Sequence, residues 1–91
     1  MNKSLFTKEY NRLRIILVEA RTSAGLTQAE LSAKLGHPQS YVSKYERGER
    51  RLDVIEFIAV MHALGCDPCA ILRRVIESPQ PSTKVRKNLH S

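Results

Sequence analysis

Five polar side chains that can form hydrogen bonds recur within one short segment of the chain. They are Gln39, Ser40, Ser43, Lys44 and Arg47. If the segment is helical, an advance of about 100° per residue gathers them within an arc of roughly 140°. Glutamine can pair with two atoms of an adenine edge, lysine suits the paired acceptors of guanine, and serine is permissive. The arc has the chemistry of DNA recognition, and the alternative is an ordinary solvated helix face.

Two short helices with a tight turn between them are expected to position this arc. Thr27, with Glu30 three residues later, predicts a capped helix start, and Gly36 predicts the end of that helix. Pro38 cannot continue the same helix and favours the first turn of a new one. Residues 27–48 therefore predict a helix-turn-helix motif.

Three further helices are predicted from apolar residues at spacings of three and four. The first covers about residues 7–24, and the fourth follows a second capping box at Asp53 and ends at Gly65. The fifth begins at Asp67 and ends near Glu77. The buried stripe predicted for the fourth helix consists of Val54, Phe57, Ile58, Met61 and Leu64.

A chain of 91 residues has room for one domain. We expect residues 1–77 to form a compact, all-α domain of five helices. Residues 78–91 hold two prolines, few apolar side chains and three positive charges, and they predict a disordered basic tail. The remaining length is too short for a separate effector or sensor domain, so none is expected.

The charge balance favours a polyanionic partner. Fifteen Lys and Arg against nine Asp and Glu leave a net charge of +6. Such a charge favours phosphate contacts with nucleic acid, although a soluble basic domain without this activity has the same balance. No apolar stretch approaches the roughly 20 residues that span a bilayer, and the first residues lack the apolar centre of a secretory signal. A cytoplasmic protein without a membrane partner is expected.

From about Tyr10 to Val75 the chain resembles the Cro and phage-repressor type of helix-turn-helix proteins, often called the XRE family. TQAELSAKLG corresponds to the first motif helix, and SYVSKYERGER follows it. Ser32 is small where the two helices cross, although the family typically has alanine there. The resemblance implies a lambda-repressor-like fold. It also implies a sequence-specific DNA-binding regulator of transcription, a repressor, which reads the major groove with a helix at residues 39–47.

The same resemblance implies roles for individual residues. Gln39, Ser40 and Lys44 are expected to contact base edges. The residues expected to contact phosphates are Gln28, Tyr41, Ser43, Arg47, Arg50 and Arg51. Arg21 and Glu46 are expected to form a salt bridge that locks the recognition helix to the first helix. The alternative for this pair is two unrelated surface charges.

A homodimer on a double-stranded DNA operator is expected, because two recognition helices on half-sites about 34 Å apart supply both affinity and selectivity. The apolar side of the fifth helix is the predicted dimer interface, unless it only completes the monomer core. Its residues are Ile71, Leu72, Val75 and Ile76. The rival function is a helical protein-interaction module, antitoxin-like or an adaptor, with incidental DNA contact and an unidentified protein partner.

Cys66 and Cys69, with His62 one helical turn earlier, invite a zinc or redox interpretation. A structural zinc site usually needs four protein ligands, and only three candidates cluster here. Packing is the favoured alternative, with Cys66 in an apolar slot and Cys69 at the start of the fifth helix, so no metal or cofactor is expected. The chain has no glycine-rich phosphate loop, HExxH motif or nucleophile and base at a suitable spacing, so an enzyme is not expected.

Overall fold

The computed structural model describes residues 7–77 of the chain. This part contains five α-helices joined by turns and loops, and no strands. The helices are α1 (Lys8–Ser23), α2 (Gln28–Lys34), α3 (Tyr41–Glu46), α4 (Val54–Leu64) and α5 (Pro68–Ile76). The predicted all-α, five-helix fold is confirmed. The predicted disordered tail, residues 78–91, lies outside the described residues.

Side chains cap the start of every helix except α3. Capping boxes form at α2 and α4, where the cap residue and the glutamate three positions later bond to each other's backbone amide. Thr7 caps α1 by accepting a hydrogen bond from the Tyr10 amide at 3.1 Å, and Asp67 caps α5. Each cap contributes about 1 kcal/mol. These helices begin where the local sequence predicts.

The start of α3 differs from its prediction. This helix covers Tyr41–Glu46, whereas residues 39–47 were expected to be helical. Gln39 and Ser40 lie instead in a turn that is closed by a 2.9 Å hydrogen bond from the Tyr41 amide to the Pro38 carbonyl. The Ser40 side chain forms no capping hydrogen bond. The helix expected to read DNA therefore begins two residues later than predicted. Gln39 and Ser40, two of its expected polar residues, lie just before it.

The core lies where α1 meets α3 and α5, where α2 packs against α3, and where α4 packs against α5. Its fully buried apolar side chains are Leu17, Leu31, Val42, Tyr45, Val60 and Met61. The prediction that Val54 belongs to the buried stripe of α4 is wrong, since this residue is 70% exposed. Val54 is the first residue of α4 and lies beyond the packed part of the helix, whereas Val60 lies within it.

No single helix within residues 7–77 is long and apolar enough to cross a membrane. The two helices that are apolar together, α4 and α5, are bent by 115° relative to each other. Gly65 ends α4 at this bend with a φ of 72°, in the left-handed region that glycine adopts without steric cost.

The hydroxyl group of Tyr45 predicts an unusual response to mutation. Its oxygen is buried and has no hydrogen-bond partner within residues 7–77, and desolvation raises the pKa of Tyr45. We expect Tyr45→Phe to leave the free energy of unfolding unchanged or to raise it by up to about 1 kcal/mol, because it removes an unpaired buried polar group. Urea unfolding measures this change.

Tyr10→Phe is the matched control for the Tyr45 substitution. The hydroxyl of Tyr10 donates a hydrogen bond to the Arg50 carbonyl at 3.2 Å, so its removal is expected to cost about 1 kcal/mol. Equal losses in the two variants would contradict the prediction and would mean that the Tyr45 hydroxyl has a partner in solution.

Candidate nucleic-acid interface

The turn between α2 and α3 sets how the two helices cross. Gly36 has a φ of 75°, and the His37 amide donates back to the Ser32 carbonyl at 3.0 Å. This is the hydrogen-bond pattern of a helix end closed by a left-handed glycine. The chain therefore leaves α2 sharply and enters α3 after a few residues, as a helix-turn-helix requires.

The residues around α3 divide into a buried side and a solvent side. Val42 and Tyr45 are fully buried on one side. On the other, Gln39, Ser40 and Lys44 are exposed. The side chains of these three form no hydrogen bond or ion pair with other groups in residues 7–77. Their donors are therefore open to a ligand, and this side carries the three residues expected to contact bases.

Arg47 and Ser43 lie beside these three, at the end of α3. The Arg47 Nε atom donates to Glu49 Oε2 at 2.9 Å, and both side chains are about half exposed. The neighbouring guanidinium lowers the pKa of Glu49. Exposed pairs of this kind contribute little to stability, so a phosphate oxygen can replace the carboxylate at little cost.

Arg50 and Arg51 follow α3, and each lies over an aromatic ring. The Arg50 guanidinium is 5.2 Å from the centre of the Tyr41 ring and pairs with Glu56. The Arg51 guanidinium is 4.8 Å from the centre of the Tyr10 ring and donates to Thr7 Oγ1 at 3.3 Å. Both side chains keep their positive charge beside the ring, although Arg50 shares its charge with Glu56.

Most of the Tyr41 side chain lies in the core rather than on the polar surface. Its ring is buried and stacks on the His37 ring, with 3.9 Å between the ring centres. Burial raises the pKa of Tyr41, so its hydroxyl keeps the proton that a phosphate contact needs. A phosphate contact by Tyr41 could therefore involve only this hydroxyl.

Arg21, on α1, and Glu46, the last residue of α3, form a largely buried ion pair. Arg21 donates from Nε to Glu46 Oε2 at 2.8 Å and from Nη2 to Glu46 Oε1 at 3.1 Å. Its remaining nitrogen, Nη1, donates to the Leu26 carbonyl at 2.8 Å. The two side chains are only 13% and 4% exposed. This geometry joins the end of α3 to α1 with two parallel hydrogen bonds.

Gln28 has a contact that the sequence did not indicate. Its Nε2 atom donates to Glu46 Oε1 at 2.7 Å, so the side chain expected to contact a phosphate supports the ion pair in this structure. An amide nitrogen carries two hydrogens, and the second could still reach a phosphate.

Two other contacts to α3 were also missed. Ser32 is fully buried, and its Oγ accepts a hydrogen bond from the Val42 amide at 3.1 Å and donates one to the Gln39 carbonyl at 3.2 Å. At the other end of α3, Arg14 Nη1 donates to the Glu46 carbonyl. The presence of serine where the resemblance implies alanine was the available signal for the first contact. No sequence pattern indicated the second.

Two of the four apolar residues predicted to face a partner on α5 are covered by the other helices of this chain. Ile71 and Val75 are buried in the core, so the expectation that they face a partner is wrong. The period of the helix identifies its apolar residues but not which of them the other helices cover. Leu72 and Ile76 are 41% and 77% exposed and line a shallow groove.

The cysteines lie at the other end of α5. Cys66 is partly buried against the core, as expected. Cys69 is exposed, and the expectation that it packs is wrong, because the second residue of α5 points away from the core. No group of three His, Cys, Asp or Glu side chains within residues 7–77 is arranged to hold a metal ion.

Comparison with known proteins gives three similarities. A protein family described as helix-turn-helix matches residues 17–71. The uncharacterized HTH-type transcriptional regulator y4dJ of Sinorhizobium fredii is 37% identical over 59 residues, which are 65% of this chain and 77% of that protein. A solved structure of an XRE-family like protein from Pseudomonas syringae is 51% identical, with a TM-score of 0.73, and covers 78% of this chain and 88% of its own.

Proposed function

This chain belongs to the XRE-type helix-turn-helix family of DNA-binding transcription regulators, and we propose that it is a sequence-specific repressor that binds its operator as a homodimer. The DNA-binding domain is residues 1–77, with the motif at 27–48. The protein acts in the cytoplasm and has no enzymatic role.

One observation carries the proposal: Gln39 and Ser40, in the turn before α3, and Lys44, on α3, are all exposed, and their side-chain donors have no partner within residues 7–77. A helix of this kind fits the major groove, where the donors and acceptors of all four base pairs differ. The three side chains contact base edges, and the shorter α3 places Gln39 and Ser40 at its leading end.

Phosphate contacts come from residues on α2, on α3 and on the loop after α3. They are Gln28, Tyr41, Ser43, Arg47, Arg50 and Arg51. The stacked Arg50 and Arg51 lie on the loop after α3, so they fix the register of the helix on the duplex without reading sequence. Their contribution falls as the salt concentration rises.

Repression is the effect that binding alone produces, because a protein that occupies an operator excludes other proteins from the same DNA. Two copies of the domain bind two half-sites, and Leu72 and Ile76 of α5 form the contact between them. The rival function, a protein-interaction module, predicts equal and weak binding to all duplexes.

Selection of preferred sites from random duplex DNA tests the proposal. A motif with two inverted halves, spaced by about one helical turn, supports a homodimer on a two-fold operator. Transcription in vitro from a template carrying that site should then decrease as protein is added. Recovery of no motif would favour the protein-interaction module, and increased transcription would reject repression.

The substitution Lys44→Ala is expected to relax preference at one base pair. Loss of a good base contact costs about 1 to 3 kcal/mol of discrimination at the position that it reads. Affinities for a set of operators with single-base changes measure this loss. A uniform loss on every duplex would show that Lys44 contacts only phosphate.

Arg51→Ala is the matched control for the substitution of Lys44. It also removes one positive charge, but we expect it to weaken binding to all the duplexes alike and to reduce the dependence of affinity on salt. The two variants thus separate the reading of bases from attraction to phosphate.

A further inference from the structure

We infer that Ser32 is a positioning residue for the base reader Gln39, a role that rests on the proposed function. Ser32 is buried in α2, and its hydroxyl contacts the backbone on both sides of the α3 start: the Val42 amide at 3.1 Å and the Gln39 carbonyl at 3.2 Å. One side chain thus fixes the segment that presents Gln39.

The start of α3 needs such a contact. The first amides of a helix have no partner within the helix, and a capping side chain usually supplies one. Ser40 occupies the cap position and forms no capping hydrogen bond, because its backbone is already helical. The Val42 amide is one of these amides, and the Ser32 hydroxyl satisfies it from the neighbouring helix.

The contact to Gln39 is the part that bears on DNA reading. A glutamine forms two hydrogen bonds with an adenine only when its backbone is held in the right place. Gln39 precedes α3 and lies outside its hydrogen-bond ladder, so helix formation alone does not fix it. The Ser32 hydroxyl holds its carbonyl, and alanine at position 32 would leave both backbone groups without this partner.

Ser32→Ala tests the contact itself through amide exchange in the DNA-free protein. We expect the Val42 amide to exchange about tenfold faster relative to the Leu31 amide, which corresponds to one lost hydrogen bond. The ratio of the two rates cancels a general loss of stability. The control is Val60→Ala, which opens a cavity in α4 and should leave this ratio unchanged. An unchanged ratio in Ser32→Ala would overturn the inference.

The positioning role is tested with operators that carry single-base changes. Ser32→Ala should lower the preference at the base pair read by Gln39 by about five- to tenfold and leave the other positions unchanged. This effect should disappear when Gln39→Ala is already present, because the two residues act through one contact. Val60→Ala lowers stability without changing the preference.

The outcomes distinguish this inference from the proposed function. If the wild-type protein prefers an operator and Ser32→Ala keeps the whole preference, the positioning role is wrong and the proposed function stands. A persistent effect of Ser32→Ala in the Gln39→Ala protein would also reject it. If the wild-type protein has no preference, the proposed function fails, and the positioning role fails with it.

Discussion

Replacement of Arg21 by alanine is expected to lower the free energy of unfolding by about 3 to 5 kcal/mol. The guanidinium is the charged partner of Glu46, whose side chain is only 4% exposed. Without Arg21 the carboxylate would keep one hydrogen bond, from Gln28, and would stay buried without a neutralising charge. Because small domains have total stabilities of about 5 to 15 kcal/mol, this loss would remove a large share of the total.

The exposed pair of Arg74 and Glu19 provides the matched control. Arg74 Nη2 lies 3.3 Å from Glu19 Oε1, and both side chains are more than half exposed. Arg74→Ala removes the same chemical group from a pair of the same type, and we expect a loss of no more than about 1 kcal/mol. Urea unfolding of the two variants at one pH compares buried and exposed pairs directly. Equal losses would reject a stabilising role for the buried pair.

A second substitution separates the loss of the pair from the cost of the stranded charge. Adding Glu46→Gln to Arg21→Ala removes that charge and keeps the shape of the side chain, so much of the lost stability should return. If the double variant were less stable than Arg21→Ala, the uncompensated carboxylate could not be the cause of the loss.

The ion pair is one of several tertiary contacts that keep a helix as short as α3 folded. An isolated helix of six residues is not stable in water, because nucleation costs more than its few hydrogen bonds return. Here Val42 and Tyr45 anchor one side, Ser32 holds the start, and Arg14 with Arg21 holds the end. The position of Gln39, Ser40 and Lys44, the residues proposed to contact bases, thus depends on contacts from α1 and α2.

The features predicted well from sequence were those encoded over three or four residues. Capping boxes formed at Thr27 and Asp53, and glycines ended α2 and α4. Each of these signals acts on the adjacent backbone, so no tertiary contact decides its outcome. The five-helix order followed from these starts and stops together with the apolar spacing.

The predictions that failed required knowledge of neighbouring helices. Ile71 and Ile76 belong to the same apolar pattern of α5, but Ile71 is buried in the core and Ile76 is exposed. The contacts of Gln28 and Ser32 to α3 join residues 18 and 10 positions apart. No local pattern encodes them. Pro38 correctly predicted a break, but the turn that it closes delayed the start of α3.

Replacement of Ile76 by aspartate is expected to convert a dimer into a monomer and to lower affinity for a full operator by about 100-fold or more. Ile76 is 77% exposed at the end of α5, beside Leu72, so a charge there is solvated in the monomer and buried in the proposed interface. Because the monomer loses no packing, its unfolding free energy should hardly change.

Ile55→Asp is the control, since Ile55 is also an exposed isoleucine, 73% accessible, but on α4. Light scattering at micromolar concentration gives the oligomeric state of both variants, and titration of full operators and single half-sites gives their affinities.

If α5 forms the contact, Ile76→Asp should bind a half-site as the wild-type domain does and lose only the gain from the second half-site. Dissociation by Ile55→Asp alone would instead place the interface at the start of α4. A wild-type protein that is monomeric on a full operator would reject the homodimer, and selectivity would then depend on one copy of α3 alone.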